Sequence, residues 1–585
     1  MKQFFKIFLA CLVALIVFWG ITIAFGFGVL SVFASKDQAV IPNNAVLVLD
    51  MENVILEQTR EKGPPLPGVN WNEGQGLYEL VYALEKAETD DRIKGIYIAG
   101  GFTPNGFATM EELRDALNRF KKSGKFIWAN SASYTNRGYE FASVADSVIL
   151  NPAGDMSWNG MAYQTIFVRD LLHKVGVQPE VFYAGDYKSA TEMFRLNKMS
   201  EPNREQVKEF IFDIYGHFLQ NISLSRNKDT AQLHLLAENL SIASASDAVN
   251  HGLIDLAAYD DEMKGLMAKK INVSKGGEIQ FVTTGEYLQN FNVNEGKTAS
   301  DRIALLIAQG DIVDGKGGDG MIGSVAFRKQ IEKLREDKKI KAVVLRVNSP
   351  GGSALASEII WRELNLLKKE KPLVVSMGDY AASGGYYISC MADSIFAQPN
   401  TLTGSIGVFA LLFDASELLN NKLGIHTDGV STTSSADIGN PFQPLKPKER
   451  IFIQNSVDTI YQRFLSRVAE GRKMPVADVD SLGQGRVWSG TDAINNKLVD
   501  AEGGIQRAIE SAARLAKLKE YRISVYPPVV SLLDKLLKPE EEKYIQTESS
   551  LRQTLGDEFL KTWKRYQAMD SWNGRAQTRL PFFVN

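Results

Sequence analysis

Cysteine is nearly absent from this chain of 585 residues, which contains only Cys11 and Cys390. Since Cys11 lies in an apolar segment near the N-terminus, no disulfide framework is available to hold the fold together. Histidine is also scarce, with five residues, and no Cys/His cluster has the spacing of zinc ligands. The sequence therefore predicts no disulfide-stapled fold, no metal site and no cofactor.

An excess of charge of either sign is also lacking. Lys plus Arg number 66 and Asp plus Glu number 69, so the net charge is −3. A nucleic-acid partner would call for a basic surface, and none is indicated. Hydrophobic residues make up 44% and charged residues 23%, as in ordinary globular proteins. A chain of this length is too long for one core and predicts two to four domains.

One long uncharged run stands at the N-terminus, from Ile7 to Ser35, after Lys2 and Lys6. About 20 residues of helix span a bilayer, whereas the apolar part of a cleaved signal peptide has only roughly 7–15 residues. We therefore expect residues 7–35 to form a retained transmembrane anchor. The two lysines predict a cytoplasmic tail, residues 1–6, with the body on the other side of the membrane.

The body of the chain is an internal repeat. Three blocks of the first half recur in order in the second half, two at an offset of 247 residues and one at 245. They are Arg92–Tyr97 with Lys339–Val344, Gly138–Ser147 with Gly385–Ser394, and Ser246–Asp255 with Thr491–Asp500. Order and near-constant spacing argue against chance and indicate a duplicated domain.

Each copy alternates short apolar strands with helices, which predicts an α/β fold with a parallel sheet. The predicted strands are Ala45–Leu49, Gly95–Ala99 and Phe126–Asn130 in the first copy and Ile303–Ile307, Ala342–Val347 and Leu373–Met377 in the second, with amphipathic helices at Leu77–Ala87 and Val325–Arg335. We expect a first copy at 42–270, a linker at 271–300, a second copy at 301–526 and a charged helical extension at 527–585.

Three segments of the second copy could carry chemistry. Asn348–Gly352 could turn backbone N–H groups toward an oxyanion, or form a tight turn only. Ser383 lies among small residues in Ala381–Tyr386 and could be a nucleophile or a helix N-cap. Ser405, in Leu402–Gly407, could orient a base or cap a turn. Taken singly, none of the three segments decides between these alternatives.

A serine nucleophile needs a base. None of the five histidines lies in a Gly-rich turn or beside an acidic residue of evident purpose; they are His173, His217, His234, His251 and His426. A lysine base is the alternative. Its pKa would have to fall by ~3 from ~10.4 through burial, which costs roughly 4 kcal/mol. Lys188, in Gly185–Ala190, is a candidate.

The segments NSPGG, ASGGYYIS, TGSIGV and GDYKSA, on a duplicated body, resemble the signal peptide peptidase A family, also called protease IV, in its long form. The resemblance extends to about residue 525. It implies two tandem ClpP/crotonase-like domains of repeated ββα turns. It also implies a serine endopeptidase that degrades cleaved signal peptides and other hydrophobic peptides. The expected location is the bacterial inner membrane, as a single-pass homotetramer in contact with lipid, with a periplasmic catalytic body.

The resemblance assigns roles to particular residues. It implies Ser383 as nucleophile, Lys188 as general base, Ser405 as the residue that orients the lysine, and an oxyanion hole at Gly351, Gly352 and Gly384. At the repeat offset of 247, Asn136 and Trp158 stand where the first copy would need its serines, and Ser435 stands where the second copy would need its lysine. The nucleophile and the base form a Ser–Lys dyad, and each copy thus holds only one of these two residues. Neither copy is expected to be active alone.

Two other functions are compatible with such a fold. A crotonase-like enzyme acting on an acyl-CoA thioester would need oxyanion N–H groups but no Ser–Lys pair, and normally no anchor. A catalytically silent membrane scaffold would need neither the oxyanion N–H groups nor the Ser–Lys pair. The presence of Ser383, Lys188 and Ser405 favours the protease.

Overall fold

The computed structural model describes residues 14–15, 17–21, 40–59, 75–274, 277–291, 294, 298–318, 320–528 and 577–579. Within these ranges, no helix is both long and apolar enough to cross a bilayer. The predicted tail, 1–6, and most of the predicted anchor, 7–35, lie outside the described residues.

The strands are numbered here in chain order. They are β1 Ala45–Asp50, β2 Ile55–Leu56, β3 Gln75–Gly76, β4 Ile93–Ala99, β5 Phe126–Tyr134, β6 Ser147–Met156, β7 Gln178–Ala184, β8 Leu256–Ala257, β9 Gln280–Thr283, β10 Arg302–Gln309, β11 Asp311–Val313, β12 Met321–Gly323, β13 Ile340–Ser349, β14 Gly351–Ser353, β15 Leu373–Ala382, β16 Ser394–Ala397, β17 Leu402–Gly404, β18 Val408–Asp414, β19 Val487–Ser489, β20 Ala501–Glu502, β21 Arg522–Tyr526 and β22 Gln577–Arg579.

The helices alternate with these strands. In chain order they are Leu77–Thr89, Phe107–Lys121, Asn136–Ala142, Arg169–Val175, Glu192–Arg195, Glu201–Arg226, Thr230–Glu238, Ala245–Asn250, Asp260–Lys270, Thr284–Leu288, Ser324–Glu336, Ala354–Lys368, Gly384–Ser389, Pro447–Arg472, Val476–Leu482, Gly490–Asn495 and Ile505–Leu515, with a 3₁₀ turn at Ser189–Thr191 and a π-helical turn at Glu417–Lys422.

The duplication is visible in the strand order of two sheets whose equivalent strands are all parallel. The first sheet runs β8-β6-β5-β4-β1-β9. The second runs β20-β16-β15-β13-β10-β21, and β17 and β19 extend it beyond the end of β16. The strands correspond one to one, so both copies fold around the same α/β sheet. Because helices cover both faces, β10 and β13 are buried along nearly their whole lengths.

The six strands predicted from the sequence are confirmed, with longer bounds. The largest difference is at β15, which continues for five residues past the predicted end at Met377, to Ala382. The predicted strand stopped where the apolar run stops, at Gly378. The pairing of the last three residues of β15 with β17 extends the strand through this polar stretch. As a result, Ser383 follows the end of β15 directly.

The third sheet joins the two copies. Its order is β12-β11-β14-β22-β18-β7, and β7 is the one strand in it that precedes β10 in the chain. Strand β7 pairs with β18 in an antiparallel ladder of seven residues, from Val408 opposite Ala184 to Asp414 opposite Gln178. Phe182 of β7 is buried in the hydrophobic core of the second copy. The first copy therefore contributes a strand to the second copy.

Two stretches differ from the expected organisation. Residues 271–300, predicted as a linker, contain β9 and the helix Thr284–Leu288, and β9 pairs with β1 as β21 pairs with β10. The strand β9 was not predicted because the stretch is rich in Gly, Asn, Thr and Lys, and because only one of the strand's four residues, Val282, is buried. In the predicted helical extension, 527–585, residues 577–579 form the strand β22. Residues 529–576 and 580–585 lie outside the described residues.

The contribution of β7 can be tested on its two faces. We expect Phe182→Ala to lower the free energy of unfolding by about 3–5 kcal/mol, because it leaves a cavity in the second copy's core. Tyr183→Ala changes the exposed neighbour on the same strand, which is 36% exposed, and should cost less than about 1 kcal/mol. Urea unfolding of both variants measures the difference. Equal losses would contradict the burial of β7 in the second copy.

Candidate active site

Lys188 is brought to the second copy by the turn that follows β7. The Tyr187 N–H donates to the Gln484 carbonyl at 2.8 Å, and the Lys188 N–H donates to the Gly185 carbonyl at 3.1 Å. Gly485, with φ of +79°, lies against the lysine so closely that a methyl group there would be 2.6 Å from the Lys188 Cβ. A glycine is needed at this point because any side chain would push the lysine away.

Gln206, in the helix Glu201–Arg226, holds the same turn from the other side. Its Nε2 donates to the Tyr187 carbonyl and to the Ser189 Oγ, both at 3.0 Å. Its Oε1 accepts a hydrogen bond of 3.1 Å from the Val487 N–H in the second copy. Gln206 is completely buried. Sequence reasoning missed this residue, because nothing in the local pattern of a long polar helix distinguishes it.

Ser383 occupies a sharp turn between β15 and the short helix Gly384–Ser389. Its φ of 55° and ψ of −113° lie outside the regions that non-glycine residues prefer. The turn is fixed on both sides, because the Ser383 N–H donates to the Gly404 carbonyl and its carbonyl accepts from the Tyr387 N–H, both at 2.8 Å. Such strain, of order 1–3 kcal/mol, persists only where the surrounding structure holds it.

The structure brings Lys188, Ser383 and Ser405 together within one chain. Nζ of Lys188 lies 2.8 Å from Oγ of Ser383, 2.9 Å from Oγ of Ser405 and 3.1 Å from the Ser405 carbonyl oxygen. All three residues have no exposed surface. Ser405 has φ of 50°, and its N–H donates to the Arg486 carbonyl at 2.7 Å, which fixes its position. The two copies therefore meet at this contact without a second subunit.

Burial controls the protonation of the lysine. Since burial penalises the charged form, it lowers the pKa of Lys188 well below the ordinary value of 10.5. The three oxygen partners of Nζ are uncharged and do not offset this effect. A neutral amine has two N–H groups and one lone pair. This matches the three contacts of Nζ: the two N–H groups donate to the two oxygens of Ser405, and the lone pair accepts from the hydroxyl of Ser383.

The glycine segment, Asn348–Gly352, lies beside the helix Gly384–Ser389 that follows Ser383. Gly351 and Gly352, with φ of 104° and 153°, form part of β14, and Gly352 pairs with Ile312 of β11. The Gly351 N–H donates to the Ser349 Oγ at 3.2 Å. A methyl group at Gly385 would lie 2.7 Å from the Ser349 carbonyl oxygen, so the helix and the glycine segment are in close contact. Gly384 is the first residue of that helix.

The edge of β14 accepts an extended peptide segment. Strand β22 lies antiparallel to it, with Gly351 opposite Arg579 and Ser353 opposite Gln577, and also pairs with Phe409 of β18. The chain's own backbone thus occupies the position between the glycine segment and β18 that an extended ligand could take.

Three residues stand, at the repeat offset of 247, where the other copy has Ser383, Ser405 or Lys188, and their contacts are structural. Asn136 donates through Nδ2 to the Gly160 carbonyl at 2.8 Å. Trp158 is buried in the first copy's core and donates through Nε1 to the Leu233 carbonyl at 3.1 Å. Ser435 is half-buried in a turn of the second copy. Within the described residues, no group of three or more His, Cys, Asp or Glu side chains could hold a metal ion.

Comparison with known proteins identifies relatives along most of the chain. Residues 119–274 and 365–519 match Peptidase family S49. Protease 4 of Salmonella typhi is 35% identical over 84% of this chain and 81% of its own length. The chloroplastic serine protease SPPA of Arabidopsis thaliana is 34% identical over 81% of this chain and 69% of its own length. A putative signal peptide peptidase SppA of Enterococcus faecium is 38% identical over 34% of this chain and 58% of its own length. A ClpP1 mutant structure from Listeria monocytogenes, with a TM-score of 0.24 and 15% identity, covers 35% of this chain and 94% of its own length.

The buried lysine should be visible in the pH dependence of stability. In the folded state the pKa of Lys188 is lowered, so between that value and the unfolded value of ~10.4 the unfolded chain binds more protons. The free energy of unfolding should therefore rise with pH across this window. We expect Lys188→Met to abolish this component, whereas Lys329→Met, at an exposed lysine, should retain it. Urea unfolding at several pH values measures the slope. Parallel curves for the wild type and Lys188→Met would contradict the burial of a neutral lysine.

Proposed function

The chain belongs to peptidase family S49 and is a serine protease, and from that premise we propose that Ser383 is its nucleophile and Lys188 its general base. The observation that carries the proposal is the 2.8 Å contact between Nζ and Oγ. That distance lies within hydrogen-bond reach for proton transfer, and the lowered pKa of Lys188 leaves its amine free to accept the proton.

The reaction then follows acyl-transfer chemistry. Nζ of Lys188 takes the hydroxyl proton of Ser383 while Oγ attacks the peptide carbonyl carbon. Backbone N–H groups of Gly351, Gly352 and Gly384 stabilise the oxyanion, and the Gly351 N–H exchanges its hydrogen bond with the Ser349 hydroxyl for one with the oxyanion. The Lys188 ammonium gives its proton to the departing amine, and the C–N bond breaks. Water, deprotonated by the same amine, then hydrolyses the acyl-enzyme and releases the second product.

Ser405 orients the base. It is the acceptor for both N–H groups of the neutral amine, at 2.9 and 3.1 Å, so the remaining lone pair faces Ser383. The same oxygens stabilise the ammonium that forms during attack, since hydrogen bonds to a charged donor are stronger than those to a neutral one. This role requires no carboxylate, and Asn136 and Trp158 show that the first copy has no equivalent hydroxyls.

We infer that the substrate is an extended, hydrophobic peptide. It would add as an antiparallel strand to β14, in the place that β22 occupies, and β22 would leave. Apolar side chains of both copies form a cluster next to Ser383, including Ala382, Leu402 and Phe210, with half-buried Tyr163 and Tyr380 at its margin. The buried members support the partly exposed rings of Tyr163 and Tyr380, and these two rings suit apolar substrate side chains. Cleaved signal peptides have this composition.

The finer features of the organisation belong to the same proposal. We propose two ClpP/crotonase-like domains and a membrane anchor at residues 7–35, whose uncharged run is long enough to span a bilayer. The N-terminus would be cytoplasmic and the catalytic body periplasmic, at the inner membrane of a bacterium. A homotetramer is the proposed assembly. An anchor of this kind would hold the protease near peptides left in the membrane.

The nucleophile is tested with the full-length chain in detergent. We expect Ser383→Ala to lower hydrolysis of a hydrophobic peptide by about 10⁴-fold or more and to abolish labelling by a fluorophosphonate, which reacts with the activated hydroxyl. Peptide cleavage and mass spectrometry of the labelled chain measure both. Retained labelling in Ser383→Ala would refute the assignment. Hydrolysis of an acyl-CoA thioester instead of peptides would favour a crotonase-like enzyme, and absence of both activities in the wild type would favour a scaffold.

The role of Ser405 is tested by a matched pair of serine variants. Ser405→Ala removes one acceptor of the lysine and should lower kcat about tenfold while leaving KM nearly unchanged. Ser389→Ala removes a hydroxyl that is equally buried but donates to the Gly385 carbonyl, away from the lysine, and should retain kcat. Steady-state kinetics separates the two constants. Equal effects of both substitutions would indicate a packing effect instead of orientation of the base.

A further inference from the structure

An irregularity in the central sheet lies between the nucleophile and the glycine segment. Strands β13 and β15 pair in regular register up to Val347 opposite Met377, and resume with Ser349 opposite Ala381. Asn348 alone therefore faces the three residues 378–380. The Tyr380 N–H donates to Oδ1 of Asn348 at 3.2 Å. This side chain bridges the bulge and sets the register in which Ser349 and Ser383 lie at the active site.

The other end of the Asn348 amide is held by the first copy. Its Nδ2 donates to Oε1 of Glu57 at 2.7 Å, while Oε2 of Glu57 accepts a hydrogen bond of 2.8 Å from Nε of Arg346. Glu57 is 3% exposed and Arg346 is fully buried. Both carboxylate oxygens of Glu57 thus accept hydrogen bonds. Because Oε1 can only accept, the Asn348 amide must turn its NH₂ group toward Glu57 and its oxygen toward the Tyr380 N–H.

The bulge packs closely against these side chains. A methyl group at Gly378 would lie 2.9 Å from both Oε1 of Glu57 and Cγ of Asn348. The next residue of the bulge, Asp379, is also held by the first copy, since Oδ1 accepts from the Thr109 N–H at 3.0 Å and Oδ2 accepts from its hydroxyl at 2.6 Å. The first copy therefore contacts the bulge at two consecutive residues.

We propose that Glu57 is a positioning residue for catalysis: through Asn348 it fixes the register between the glycine segment and Ser383. This inference rests on the proposed role of Ser383. It extends that role by giving the first copy a second contribution beside Lys188, one made through Asn348 of the glycine segment. Glu57 does not touch the reacting atoms and acts only through the hydrogen bond to Asn348.

The chemistry of the two side chains predicts a reciprocal substitution. In Glu57→Gln, one oxygen of residue 57 becomes an NH₂ group, so a donor faces either Arg346 or Asn348. If the Asn348 amide turns to accept it, its own NH₂ then faces the Tyr380 N–H. In Asn348→Asp, two carboxylates meet across the contact of 2.7 Å. The double variant Glu57→Gln/Asn348→Asp restores a donor opposite an acceptor between residues 57 and 348, keeps the acceptors for the Tyr380 N–H and for Nε of Arg346, and keeps the net charge. Only the longer contact of 3.4 Å, from Nη2 of Arg346 to Oε1 of residue 57, loses its acceptor.

The experiment measures kcat, KM and the rate of fluorophosphonate labelling for the full-length chain, together with thermal unfolding. We expect Glu57→Gln to lower kcat and the labelling rate about tenfold to hundredfold, with KM within about twofold, because a small shift in geometry slows attack. Asn348→Asp should lower kcat and the labelling rate about hundredfold, and in the double variant both should return to within about fivefold of the wild-type values. The pH–rate profile should be unchanged, since Lys188 is not touched.

Glu112→Gln is the matched control. Glu112 also pairs with Arg346 and accepts from the Ile505 N–H at 2.9 Å, but it makes no contact with Asn348. It should lower the unfolding temperature with kcat retained. The proposal is overturned if Glu57→Gln keeps the wild-type kcat, if Glu112→Gln lowers kcat equally, or if the double variant is no better than Asn348→Asp. The comparison of the double variant with Asn348→Asp tests the proposal even if Glu57→Gln alone does not fold. Labelling of Ser383→Ala, run in parallel, separates a failure of this inference from a failure of the proposed nucleophile.

Discussion

The antiparallel ladder between β7 and β18 is the interaction on which the site depends. Seven residue pairs hold a strand of the first copy against a strand of the second. Lys188 follows β7 by four residues, and Ser405 precedes β18 by three. The ladder therefore determines which lysine meets which serine, and the 2.8 Å contact with Ser383 follows from its register. A slip by one residue would turn Phe182 out of the second core and move the lysine away.

The second constraint is the burial of a lysine among uncharged partners. A lysine normally stays charged at neutral pH, and burying the charged form without a counter-ion is unfavourable. Here the hydroxyls of Ser383 and Ser405 and a carbonyl oxygen are its partners, so the neutral amine is the form that fits. The packing of the two copies around Lys188 compensates for this unfavourable burial, and the burial lowers the pKa of the lysine.

The two copies have diverged into complementary parts. The first copy replaces the serines by Asn136 and Trp158, which stabilise its own fold through a carbonyl contact and an aromatic core. It supplies instead the lysine, the turn held by Gln206, and contacts to the strand β15, which ends directly before Ser383. The second copy keeps the serines and the glycine segment.

The sequence alone determined the repeat, the α/β alternation and the six principal strands, because the hydrophobic period and the repeat offset can be read along the chain. The residues that could form a Ser–Lys pair came from the resemblance of its motifs to the signal peptide peptidase A family. The sequence did not reveal β9, the continuation of β15 to Ala382, or the roles of Gln206 and Glu57. Each of these depends on a partner roughly 20 to 290 positions away or on pairing with another strand. Only the tertiary structure decided that Ser383 and Lys188 meet within one chain, because β7 leaves its own copy to pair with β18, and no local pattern in β7 specifies its partner.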